Sequence, residues 1–92
     1  MNTLFLLMAQ YDGQAIIPLA KVCEDYLSHL TPEKLQRKVM AGEVDLPITR
    51  MEGSQKSARG VHLQDLAKYL DEQRAKAIIE NDKLQGRYKK AS

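Results

Sequence analysis

The apolar positions of this chain fall into three helical stripes and two strand-like runs. Leu19, Val22, Cys23, Tyr26 and Leu27 recur at i, i+3, i+4, i+7 and i+8, one face of a helix, while Lys21, Glu24 and Asp25 occupy the other. A second helix is predicted from Thr31-Pro32-Glu33. Threonine caps free amides there, proline is preorganised for the first turn, and glutamate complements the helix dipole. Leu35 and Val39, with Met40 beside them, are its expected buried side, and Gly42 its C-terminal cap. Residues 47–51 and 59–63 carry β-type patterning on either side of a connection, residues 52–58, that has no large apolar side chain. That connection is expected to stand out in solvent. The third stripe starts near His62 and continues through Leu63, Leu66, Ala67 and Leu70, with no helix breaker until Gly86. Beyond Leu70 it thins to Ala75, Ala77, Ile78, Ile79 and Leu84, so the distal half of this helix should project from the domain.

The beginning of the chain is less regular. Residues 3–10, TLFLLMAQ, are almost continuously apolar, and periodicity does not assign such a run. A helix capped by Thr3 and ending near Gly13 is favoured over a buried strand. Tyr11-Asp12-Gly13 is a turn signal, and residues 15–17 read as a short strand stopped by Pro18. That strand is available to the later hairpin as a third member. Helix, turn, helix and hairpin in this order predict an α+β fold, mainly α. The specific expectation is a winged helix-turn-helix with a two- or three-stranded wing sheet and a long C-terminal helix. Residues 1–73 form the expected DNA-binding domain, and 74–85 a helical extension suited to self-association. Residues 86–92, with Arg87, Lys89 and Lys90, make a basic tail expected to be disordered.

Composition narrows this picture only a little. Ninety-two residues make one small domain, and 43% hydrophobic with 28% charged residues suits a soluble globular chain. A net charge of +2 decides nothing until its distribution is considered. Lys34, Arg37 and Lys38 share one face of the second helix, opposite Leu35 and Val39, and Arg50, Lys56 and Arg59 lie on the hairpin. A basic helix face of about three turns fits the major groove, roughly 12 Å wide. Arg37 suits bidentate contact to guanine, Gln36 suits adenine if turned to the groove, and lysines hold phosphates. Thr31 at the helix start, with Ser54, Gln55, Lys56 and Ser57 on the wing, completes the expected DNA-contacting set, and Gly53 permits close backbone approach.

Other chemistry finds little support. His29 and His62 have no carboxylate at ligand spacing, and Cys23 sits on an apolar helix face as a structural thiol. Gly53 and Gly60 read as turn glycines, without a phosphate-binding loop. No catalytic residue, cofactor or metal is expected. A single cysteine forms no internal disulfide, which points to a reducing cytoplasm. The apolar run at residues 4–9 is too short for a membrane span and lacks the flanks of a signal peptide.

Three segments carry a further signal: FLLMAQYDGQAIIPL at residues 5–19, VCEDYL in the first stripe, and LPITRMEGSQKSARGVHLQDLAKYLD at 46–71. With them the chain resembles the pyocin activator protein family (PrtN) over residues 2–72. The resemblance implies a transcriptional activator of phage-tail-like bacteriocin genes that binds a repeated DNA box upstream of them under DNA-damage control. It also implies a fold similar to that of small phage regulators and excisionases, with Lys34, Arg37 and Lys38 in the groove and residues 54–59 on the wing. The expected partners are double-stranded DNA, a second copy of the chain and RNA polymerase. Rival readings are an excisionase-like DNA-bending factor and a non-DNA adaptor that docks a partner on residues 63–84.

Overall fold

The computed structural model describes residues 2–53 and 58–87. Helix α1, Thr3–Gln10, opens the chain. Its cap is Asn2, whose side chain accepts from the Leu4 amide at 2.8 Å. Thr3, the expected cap, is instead the first helical residue and donates its hydroxyl to Asp71 at 2.5 Å. Asp12 and Gly13 turn the chain with positive φ, and strand β1, Ile16–Pro18, follows. Pro18 then serves as the N-cap position of α2, Leu19–Tyr26, which buries Leu19, Val22 and Cys23.

A short connection through Leu27 and Leu30, both packed on the core, leads to α3, Pro32–Met40. The Thr31 hydroxyl accepts from the Lys34 amide at 3.2 Å, as a Thr-Pro start predicts. Gly42, at φ +75°, lets the chain leave α3. Leu35 is fully buried and Val39 partly so. Met40 departs from expectation: it is 79% exposed. At 100° per residue it lies beyond Val39 on the side away from Leu35, so only two residues of this helix face the core.

Strand β2, Thr49–Arg50, and strand β3, Arg59–His62, form the hairpin, and the Met51 amide donates to the Ala58 carbonyl at 3.2 Å. β1 pairs antiparallel with the other side of β3, giving the order β1-β3-β2. The expected strand over residues 47–51 is thus reduced to two residues on an edge, where Pro47 has no N–H to offer a ladder. Gly60 is not a turn glycine: it is buried in the central strand, between Pro18 on one neighbour and Thr49 on the other. Helix α4, Leu63–Leu84, starts at once, capped by His62, whose Nδ1 accepts from the Gln64 amide at 3.0 Å.

Leu7, Ile17, Val22, Leu35, Leu46, Val61 and Leu66 are the fully buried large side chains, one or more from nearly every element. The core therefore sits where α1, the sheet and the first turns of α4 meet α2 and α3. A polar staple joins α1 to α2: the buried Tyr11 hydroxyl donates to Asp25 at 2.6 Å, and the Tyr26 hydroxyl to Gln10. Burial, and then the hydrogen bond to Asp25, raises the Tyr11 pKa above the usual phenol value. The folded state thus holds the proton more tightly than the unfolded chain. This contribution to stability is complete below about pH 10 and is lost as pH rises beyond it. Thermal unfolding followed from pH 8 to 11 is expected to show a decline that Tyr11→Phe makes shallower, because the phenylalanine has no proton to lose.

Candidate nucleic-acid interface

The two buried residues of α3 fix which of its side chains meet solvent. With Leu35 and Val39 inward, Lys34, Arg37 and Ala41 are exposed together on the outer face. Lys38 lies on one flank, half-buried, 3.7 Å from Glu43 just beyond the helix. These five residues, Lys34, Arg37, Lys38, Ala41 and Glu43, line a shallow surface depression. The carboxylate partly offsets Lys38, so the strongest positive charge on this face belongs to Lys34 and Arg37. Thr31 is engaged in capping through its hydroxyl.

Gln36 occupies the opposite flank and does not point toward the Arg37 face. Its side-chain oxygen accepts from Arg59 Nη1 at 2.7 Å, in a partly buried contact that ties α3 to the start of β3. The same pair lines a depression with Pro18, Leu19, Ala20, Pro32 and Glu33, where the N-terminal turn of α2 approaches α3. Gln36 and Arg59, expected as independent DNA contacts, are thus brought together as a link between helix and hairpin. Sequence reasoning had no signal for this link, since the two residues lie 23 positions apart and neither motif requires the other.

Arg50 is exposed on the edge strand, paired in register with Arg59. Met51, Glu52, Gly53 and Ala58 are exposed where the hairpin leaves the sheet. Ser54, Gln55, Lys56 and Ser57 lie outside the described residues. At the first residue of β3, Arg59 meets α3 through this contact with Gln36.

Burial raises the Cys23 thiol pKa, with the Glu33 carboxylate adding to the effect, and so disfavours the thiolate. Among the described residues no group of three or more His, Cys, Asp and Glu is placed to hold a metal ion. No helix among them is long and apolar enough to cross a membrane.

A family model described as pyocin activator protein PrtN matches residues 3–77. The chain belongs to this family. The PrtN match covers every element from α1 to the middle of α4, including α3 and both strands of the hairpin. It runs on to Ala77 and leaves the last turns of α4 outside. By its description this family is one of transcriptional activators. No curated protein and no solved structure matches the chain significantly.

Proposed function

We propose that this chain activates pyocin genes by binding duplex DNA upstream of them as a winged helix-turn-helix. In this reading α3 enters the major groove and the β2–β3 hairpin lies along the flanking backbone. The observation that carries it is the exposed Lys34–Arg37 face of α3, set opposite buried Leu35 and adjoining a cationic hairpin. Element order supports it too, since α2 and α3 meet through a short turn and the hairpin follows α3 directly. Arg37 reads a base edge, for which a guanidinium offers two parallel donors. Lys34 and Arg50 hold phosphates and set the register, and the residues 54–57 of the hairpin connection extend that contact. Gln36 fixes the angle between helix and hairpin through Arg59 rather than reading adenine. Lys38, beside Glu43, contributes less than its neighbours.

Fluorescence anisotropy with a fragment of the host's pyocin promoter tests this directly. Arg37→Ala is expected to weaken specific binding by about 10- to 100-fold, the range of one lost bidentate base contact. Lys34→Ala should weaken specific and non-specific DNA alike and lower the salt slope by about one. Wild-type affinity in both variants would mean that this helix face does not meet DNA, and would leave the adaptor reading in its place.

A further inference from the structure

We infer that the distal half of α4 is the interface with a second copy of this chain, packed antiparallel about a two-fold axis through Ala77. The core-facing stripe of the proximal half, with Leu63, Leu66 and Ala67 buried and Leu70 only partly so, does not end where the domain ends. At 100° per residue the same line runs on through Arg74, Ala77, Ile78, Asn81 and Leu84. Ala77, Ile78 and Leu84 are nevertheless exposed, Leu84 at 77%. The Thr3–Asp71 hydrogen bond marks where α1 begins against α4, so the helix passes beyond its last neighbour near that point.

The sequence of this stretch says what covers it. Counted outward from Ala77, positions three away are Arg74 and Glu80, opposite in charge. Positions four away are Gln73 and Asn81, both amides, and positions seven away are Leu70 and Leu84. An antiparallel pair centred on Ala77 therefore sets Leu70 against the partner copy's position 84, and position 84 against its 70. It also sets Arg74 against Glu80 twice, and amide against amide twice. The small side chain falls on the axis, where two helices approach most closely. A parallel pairing would instead stack Arg74 on Arg74 and Glu80 on Glu80. A heteromeric partner would not require the stretch to be complementary to itself. The distal part of α4, exposed along the line from Arg74 to Leu84, is marginal as a short helix in water, and such a pairing supplies apolar contact to it.

Analytical ultracentrifugation of the full chain tests the interface without reference to DNA. The expected mass is twice the 10.4 kDa chain at micromolar concentrations. Arg74→Glu places like charges together at two symmetric points and should raise the dimer dissociation constant about tenfold or more. The double variant Arg74→Glu, Glu80→Arg restores opposite charges and should return within about threefold of the original value. Both positions are exposed, and circular dichroism checks that α4 remains helical. A monomer at all concentrations overturns the interface. A dimer indifferent to Arg74→Glu, or one broken by Phe5→Ser on the exposed side of α1 and untouched by the reversal, overturns this packing.

Discussion

Gly60→Ala is expected to lower the midpoint of thermal unfolding by about 10–20 °C, following a loss of about 2–3 kcal/mol in a domain of this size. The direction runs against the usual trend. Replacing a strand glycine by alanine ordinarily helps, because alanine restricts the unfolded chain and gives the sheet a side chain to pack. At this position a Cβ would stand 2.5 Å from the Ile17 carbonyl oxygen and 2.6 Å from Ile16 Cγ2. The second contact can relax by rotating a side chain. The first involves backbone in the paired strand β1, so relief requires β1 and β3 to separate. Differential scanning calorimetry on the variant measures the outcome, and an unchanged midpoint would show that the sheet accommodates the methyl group. Gly53→Ala is the matched comparison: nothing lies within 4 Å of its added Cβ, and its expected shift is within about 2–4 °C.

Gly60 also illustrates where sequence reading stops. In the stretch SARGVHL a glycine beside a polar connection reads as part of a turn, and only the pairing of β1 with β3 reveals that the backbone must approach here. The helices were legible because each carries its own evidence. Leu19, Val22 and Cys23 repeat at helical spacing, Thr31-Pro32 announces α3, and the Leu63-to-Leu70 stripe announces α4. Residues 15–17 were legible as a strand available to the hairpin, and β1 occupies that place. One-residue errors arose where two neighbours compete for a role, as Asn2 and Thr3 do at the cap of α1. Met40 was misplaced because a nine-residue helix with two core positions leaves the edge of its apolar face undefined. The basic face of the candidate site followed from the spacing of Lys34 and Arg37. The partners of its flanks did not, because Lys38–Glu43 and Gln36–Arg59 depend on how α3 leaves the core and where β3 passes it.

Leu35→Ala should cost about 2–5 kcal/mol, the range for emptying a fully buried leucine site in a core. In a 92-residue chain that corresponds to a fall of about 10–30 °C in the unfolding midpoint. Leu35 is the only fully buried residue of α3 and the one that sets its rotation, so its loss bears on the proposed groove face as well as on the core. Two effects on DNA binding are then separable. If the cavity merely lowers global stability, apparent affinity falls in proportion to the folded fraction and recovers on cooling. If α3 loosens locally, affinity stays reduced at temperatures where the variant is fully folded by circular dichroism. Leu66→Ala provides the control, since Leu66 is equally buried but belongs to α4, on the other side of the core. The expected result is equal destabilisation in the two variants and a residual loss of affinity only in Leu35→Ala. Arg37→Ala completes the contrast from the opposite face of the same helix. Its midpoint should remain within about 2–4 °C of the parent, because an exposed side chain leaves no cavity, while its affinity for the promoter falls most. Equal losses of affinity in Leu35→Ala and Leu66→Ala would instead assign both effects to global unfolding and not to a loosened α3.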